Sequence, residues 1–301
     1  MLIGVTMISY LIINAAPGNP VTMLLNPNMS AGDLHSLEVA LGLNKPVWVR
    51  YWLWLIQLLH GNLGFSYVNF QPVLTRILRR LPATAELMVS AILLSYVLAI
   101  PVGVIAAVRQ YSWVDYFSTI GAFLGVSVPG FFIGLVLLYI FALQLNVLPA
   151  SGQVTVGVIP SLGDYLRHLV MPAVVLAVGN IGQTVRYVRG ALLDCIRQDY
   201  VRTARAKGLG ERVVIYKHAL HNALLPVITI AGLQIPILFS GAVITEQVFG
   251  WPGMGQLTIQ AITQRDYPTI MGITLIAAVL VVVGNLVADL CYSMADPRIR
   301  L

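Results

Sequence analysis

Residues 199–226 read DYVRTARAKGLGERVVIYKHALHNALLP and hold seven of the chain's thirty Asp, Glu, Lys and Arg residues in twenty-eight positions. The sequence on both sides runs apolar for long spans. Within the stretch, Tyr200, Val201 and Ala204 share one helical face and Arg202 and Arg205 point elsewhere. Lys207 falls in the last turn of that helix and Gly208 just past it, a cation for the negative helix end and a residue that accepts left-handed geometry. A second helical pattern starts at Glu211, with Val213, Tyr216, Leu220 and Leu224 on one stripe and the acid in the first turn. The segment reads as a short helix, a glycine turn and a second helix that leads into an apolar run at Leu225 and Pro226.

Around this stretch the composition is that of a membrane protein. The 301 residues are 58% hydrophobic and 10% charged, the mean hydropathy is +0.83, and soluble domains carry about 25% charged residues. A helix needs roughly 20 apolar residues to cross a hydrocarbon core of about 30 Å. Five runs meet that length: Pro82 to Val108, Tyr116 to Leu145, Leu169 to Tyr187, Leu225 to Thr245 and Ile270 to Ser293. Met1 to Ala16 is apolar but short. It reads as a first helix; the alternative, a signal-peptide core, lacks a preceding Lys or Arg. The runs are continuously apolar, not alternating, which argues against a β-barrel.

Cytoplasmic loops collect Lys and Arg. Arg186 to Asn222 carries eight of the eighteen basic residues against three acids, which predicts a cytoplasmic face for this loop. Alternation then puts Arg109 to Asp115, the C-terminal ADPRIR and both termini on the same side. Pro17 to Leu81, Asn146 to His168 and Glu246 to Thr269 fall outside. Arg76, Arg79 and Arg80 in RILRRLP are the exception to the charge bias. In the first outer segment Ser30 is an N-cap candidate for a helix stopped by Gly42, and Pro46 opens PVWVRYWLWLIQLLHG, rich in interfacial aromatics.

Inside the spans, Gly121 with Gly125 and Gly130 with Gly134 are small-residue spacings that suit close helix packing, with Pro129 between them as a kink candidate. Glu86 and Asp289 are the ionisable candidates for substrate or ion contact, both near span ends, and no chain of carboxylates and histidines suggests a proton relay. Cys195 and Cys291 match no metal or redox spacing, and His218 with His221 has no acidic or Cys companion for a metal site. A basic amphipathic helix such as 199–206 has three readings: it lies on anionic lipid, it is a solvated loop, or it plugs into a groove of a cytoplasmic protein.

At this point the residues resemble a family. DYVRTARAKGLGERVVIYKHALHNALLPVIT is similar to the cytoplasmic loop of binding-protein-dependent ABC importer permeases, in the version of the dipeptide, oligopeptide and nickel branch. The general form has Glu-Ala-Ala, a Gly six residues after the Glu, and a later Leu-Pro. Here these positions hold Arg202, Thr203 and Ala204, then Gly208, then Leu225 and Pro226. APGNP, LGLNKPVWVRYWLWL, GNLGFS, LPATAEL, TEQVFGWPGMGQL, RDYP and DPRIR support the same branch. The departures are Arg202 in the Glu position, Asn19 where Asp is frequent, His221 where Arg is usual, and a first helix that the resemblance implies is N-terminally shortened.

The resemblance implies an all-α integral membrane protein with the six-helix type I ABC importer permease fold and an extracytoplasmic helical insertion after the first helix. The corresponding organisation is a first helix at 1–16, an extracytoplasmic cap at 17–81 and a five-helix core at 82–301 with a coupling loop at 188–224. The implied function is a permease subunit of an ATP-driven dipeptide or oligopeptide importer in the bacterial inner membrane. A permease for nickel, a metal chelate or glutathione is the alternative, and an ion-coupled secondary transporter is the remote one. No Gly-x-x-x-x-Gly-Lys-Ser/Thr loop is present, so ATP and Mg would sit on partner subunits, with no cofactor in this chain.

The implied partners are a second related permease, two cytoplasmic ATPase subunits, an extracytoplasmic substrate-binding protein and membrane lipid, with no nucleic acid. Tyr200, Val201, Arg202, Thr203, Ala204, Arg205, Lys207, Gly208 and Leu209 form the expected ATPase-docking unit, with Thr203, Ala204 and Gly208 giving close approach and the cations polar contact. Asn180, Gln183, Gln234 and Ser240 are candidates for the substrate path, with interhelical hydrogen bonding the alternative for each.

Overall fold

The computed structural model describes residues 1–15, 36, 38–224, 227 and 242–295, without the side chains of 288, 289 and 291–295. Expectations at Asn19, Ser30, Leu225, Pro226, Gln234, Ser240 and the C-terminal DPRIR, and those for the side chains of Asp289 and Cys291, lie outside the described residues. The main helices in chain order are α1 (Leu2–Ala15), α2 (Val47–Leu59), α3 (Val73–Val108), α4 (Trp113–Ser127), α5 (Gly130–Leu137), α6 (Leu162–Ile196), α7 (Asp199–Ala206), α8 (Met254–Thr263) and α9 (Tyr267–Ala295). Apart from one antiparallel bridge between Phe65 and Pro72, the described residues form helices, turns and connecting loops.

Three of these helices are long and apolar enough to cross a membrane among the described residues, or four when a bent pair counts as one span. They are α3 with 36 residues, α6 with 35, and Tyr267–Val287 within α9. At 1.5 Å per residue α3 is about 54 Å long, so it extends well past a hydrocarbon core of about 30 Å. α1 has 14 residues and reaches only about 21 Å.

Two helix boundaries differ from the sequence reading. The first core helix starts at Val73, not at Pro82. Val73 and Ile77, one turn apart, are fully buried, and that burial carries the helix through a proline whose missing N–H alone would suggest a start. The run from Tyr116 to Leu145 is not one helix: α4 and the segment Gly130–Gln144 meet at 98°. Val128 is extended (φ −85°, ψ 126°) because the ring of Pro129 disfavours the α region for its predecessor. Pro129 then stands as N-cap of α5, and the segment finishes in a π-helical turn over Leu138–Gln144.

The described residues fall into two compact units. The first comprises Met1–Thr84 and Pro252–Val281. It contains the carboxylate of Asp266, which is fully buried. Ser66 Oγ donates to Asp266 Oδ2 at 2.5 Å, the Tyr67 amide to Oδ1 at 3.0 Å, and Thr269 Oγ1 to Oδ2 at 2.7 Å. Arg76 Nη1 completes the set at 2.6 Å from Oδ2 and also reaches Thr269 Oγ1 at 2.9 Å. Four donors on one carboxylate satisfy a charge that would otherwise be costly to bury. The segments GNLGFS and RDYP thus meet through Ser66 and Asp266, and the outlying Arg76 is accounted for by its acid. LPATAEL and TEQVFGWPGMGQL meet likewise, the Met254 amide donating to Thr84 Oγ1 at 2.7 Å. Gly42 ends the helix before α2 with φ +68°, its amide and that of Leu43 returning to the Val39 and Glu38 carbonyls, a Schellman closure.

The second unit comprises Ala85–Trp251 and Val282–Leu301. α4 packs along α6, and the closest approach is at Gly182, where a Cβ would lie 2.5 Å from the Ala122 carbonyl oxygen. Of the four glycines singled out in the sequence, Gly125, Gly130 and Gly134 sit against neighbours, Val178, Val175 and the Val248–Phe249 pair, while Gly121 faces open space. Gly182→Ala is expected to push α4 off α6 and cost about 1–3 kcal/mol, as overpacking does in close-packed cores. A thermal melt of the purified chain in detergent checks it; an unchanged midpoint would refute the contact.

Candidate functional site

The basic stretch is built from the end of α6 onward. Gln198 leaves the helical region (φ −74°, ψ 151°) and lets α7 start at Asp199, whose acid lies in the first turn and Arg205 in the last, as the helix dipole prefers. Lys207 is the C-cap. Gly208 follows with φ +79°, a backbone that a Cβ would strain, and its amide returns to the Arg205 carbonyl at 2.9 Å. Arg205 closes the turn from the other side: Nε donates to Glu211 Oε2 at 3.1 Å and Nη2 to Oε1 at 2.7 Å. A bidentate fork across a glycine turn fixes the angle between the two arms of the loop.

Val201 and Ala204 are buried in an apolar cluster with Val104 and Ala107 of α3, Val188 and Leu192 of α6, and Val214, Ala219 and Ala223 of the second arm. The helical face predicted from Tyr200, Val201 and Ala204 is therefore turned into the chain itself, with Tyr200 at its edge, 40% exposed. Close approach at Ala204 is made to this chain's own helices. Arg202, Thr203, Lys207, Gly208 and Leu209 are exposed, and Arg202 lies 3.5 Å from Asp199.

The second arm corrects the predicted stripe. Val213 and Tyr216 are exposed, and the buried positions are Val214, Ile215, Ala219 and Ala223. The cause is a π-helical turn over Val214–Ala219, whose wider winding brings residues five apart into line and rotates the face away from a 3.6-residue stripe.

One anchoring pair left no mark in the sequence. Arg189 of α6 grips Asp115 of α4 through Nε–Oδ1 at 2.6 Å and Nη2–Oδ2 at 2.8 Å. Asp115 also accepts from the Tyr111 amide at 3.0 Å, and Ser112 caps α4 through the Asp115 amide. The turn between α3 and α4 is thereby tied to α6 close in sequence to Val188 and Leu192 of the cluster. No local pattern links positions 74 residues apart.

Glu211 supplies a titratable feature of the loop. The Arg205 hydrogen bond, foremost, holds its carboxyl below the usual carboxylate range. A depressed folded value means that the contribution is complete above the ordinary glutamate range and is lost as pH falls through the depressed value. Because both side chains are solvated, it amounts to under about 1 kcal/mol. Loop protection in hydrogen exchange should fall modestly on acidification in the native chain and stay flat in Glu211→Gln; equal pH dependence in both would refute the clasp.

The substrate-path candidates separate. Asn180 is buried and donates to the Leu176 carbonyl of its own helix at 3.1 Å, while Gln183 is exposed, as is Arg186, which lies over the Phe123 ring at 5.5 Å. Glu86 is exposed and accepts from Tyr165 Oη at 2.7 Å and Gln153 Nε2 at 3.1 Å. The described residues contain no group of three or more His, Cys, Asp or Glu placed to hold a metal ion.

Comparison with known proteins bears on the same residues. Residues 99–301 match the family described as "Binding-protein-dependent transport system inner membrane component", and residues 1–88 match its N-terminal companion, "Binding-prot-dependent transport system membrane comp, N-term". The chain is 45% identical over 301 residues to the oligopeptide transport system permease protein AppB of Bacillus subtilis, covering 100% of this chain and 95% of the relative. It is 37% identical over 320 residues to the dipeptide transport system permease protein DppB of Escherichia coli K12, covering 99% and 94%. In fold it is similar to a chain of the inward-facing MetNI methionine ABC transporter, with a TM-score of 0.60 at 18% identity over 74% of this chain and 97% of that one. The all-helical arrangement is thus that of an ABC importer permease. With both ends of the chain matched and full-length relatives well above 30% identity, the protein belongs to the family of binding-protein-dependent transport system inner membrane components.

Proposed function

We infer that this chain is the membrane-spanning permease subunit of an ATP-driven importer that passes dipeptides or oligopeptides from an extracytoplasmic binding protein into the cytoplasm. The observation that carries this reading is the 45% and 37% identity, over nearly the whole chain, to relatives named as oligopeptide and dipeptide permeases. ATP and Mg belong to two partner ATPase subunits, since the sequence holds no phosphate-binding loop of the Walker type, and a second related permease completes the path. The loop at 188–224 faces the cytoplasm with both termini, the cap at 17–81 lies outside, and the core at 82–301 carries the path; the basic bias of Arg186 to Asn222 supports that orientation.

In this reading the exposed side of α7 receives the ATPase. Arg202, Thr203, Lys207 and Leu209 offer contact, with Tyr200 at the edge, while Val201 and Ala204 hold α7 on Val104, Ala107, Val188 and Leu192. A displacement of α7 is passed directly to α3 and α6, because close-packed apolar contacts are stiff. Movement of these helices against a second permease is a physical form of alternating access.

The test is uptake of a labelled dipeptide into vesicles holding the assembled importer with its binding protein. Uptake is expected to require ATP and to persist when ionophores collapse all ion gradients. Uptake that stops with the gradients and ignores ATP would refute the reading.

A further inference from the structure

The first unit contains a cavity of about 370 Å³ that the transport reading does not use. Its wall carries Tyr10, Arg50, Trp54, Phe65, Tyr67 and Tyr267, with Lys45 also lining it. The lining described includes two cations and no carboxylate. Arg50 and Trp54 of this wall each carry a buried N–H, Arg50 Nε and Trp54 Nε1, with no hydrogen-bond partner among the described residues, while Arg50 Nη2 is engaged with Asn14 Oδ1 at 2.8 Å. A buried donor left without an acceptor is costly, and such atoms in a folded chain call for an explanation. Burial, foremost, raises the Tyr67 phenol to about 12, so its ring lines the cavity as a neutral group at any physiological pH.

A guanidinium with an unmet N–H beside an unmet indole N–H calls for an anionic oxygen acceptor, and the aromatic wall calls for an apolar body behind it. A volume of 370 Å³ is at the small end of ligand sites. The outer side of the same helix names the source. On α2, Trp48 is 75% exposed, Trp52 62% and Leu59 81%, a face of the kind that lies at a membrane interface. Phosphodiester groups are concentrated at that level, next to acyl chains. We propose that this cavity is a binding site for the headgroup of an anionic phospholipid, with the phosphate accepting from Arg50 Nε and Trp54 Nε1 and the aromatic wall covering the glycerol and the first part of the chains. The site pins α1, α2 and the start of α9 to the bilayer surface and is independent of what the importer carries.

The experiment uses the full chain in nanodiscs of phosphatidylcholine with a minor share of phosphatidylglycerol, transferred to mild detergent and weighed by native mass spectrometry. The wild type is expected to retain one phosphatidylglycerol in preference to phosphatidylcholine. Trp54→Phe, which keeps a six-membered aromatic ring and removes the N–H donor together with the pyrrole part of the indole, should lower that occupancy about tenfold. Arg50→Gln should lower it at least as far, and should it fail to fold, Trp54→Phe alone decides. Equal retention in wild type and Trp54→Phe overturns the site. Equal retention of both lipids overturns the anionic selectivity, and displacement of the lipid by millimolar inorganic phosphate identifies a free-anion site and overturns the lipid assignment.

Discussion

Replacing Asp266 with alanine is expected to destabilise the first unit by about 3–5 kcal/mol, the cost of leaving a buried ion unpaired. Arg76, whose side chain is 11% exposed, would lose the carboxylate 2.6 Å away. Ser66 Oγ, the Tyr67 amide and Thr269 Oγ1 would lose the same acceptor. Asp266→Asn keeps one acceptor oxygen and should cost less. The double replacement Asp266→Ala with Arg76→Leu should recover part of the loss, because the stranded cation is gone. Thermal unfolding in detergent, followed by circular dichroism, orders the variants. A single Asp266→Ala variant that melts with the wild type would refute the network.

Ala204→Asp is the second large effect. The position is 6% exposed among Val104, Ala107, Val188, Leu192 and Val201, where a carboxylate has no described cation inside the cluster to meet it. The expected cost is about 3 kcal/mol or more, taken by displacing α7 in preference to burying the charge. Uptake should be abolished, and limited proteolysis should cut the stretch Asp199 to Asn222 faster than in the wild type. Ala204→Ser, similar in size and uncharged, should keep most of the uptake. An uncleaved loop in Ala204→Asp would contradict the inward orientation of this face.

Much of the architecture was legible in local pattern. Long apolar runs announced α3, α6 and α9, because a spanning helix has to pair its own backbone and cover itself with apolar side chains. The glycine turn at Gly208 and the acid and cation at the two ends of α7 were legible for equally local reasons. The spacing of Val201 and Ala204 predicted a shared face; it did not say whether that face meets a partner or the chain itself, and the cluster with α3 and α6 decides for the chain. The break at Val128–Pro129 was legible as a kink and not as a 98° bend, since the angle depends on what α5 packs against. The shift from Val213 and Tyr216 to Val214 and Ile215 was hidden by the π-helical turn. Asp115 with Arg189, and Asp266 with Arg76, are pairs far apart in sequence, and composition carries no signal of them. The same distance made Arg76 look like an exception to the charge bias, when a buried acid 190 residues later answers it.

In the proposed importer, the exposed side of α7 transmits the work of partner ATPases while its buried side holds the loop in place. Arg202→Glu combined with Lys207→Glu changes only the exposed side and touches none of the apolar cluster. In the reconstituted importer, the decisive quantity is the number of peptides imported per ATP hydrolysed. The variant is expected to melt like the wild type and ATP hydrolysis to continue, while this ratio falls about tenfold or more, equivalent to losing contacts worth ~1.4 kcal/mol. An unchanged ratio in a normally assembled and folded complex would contradict that role of α7.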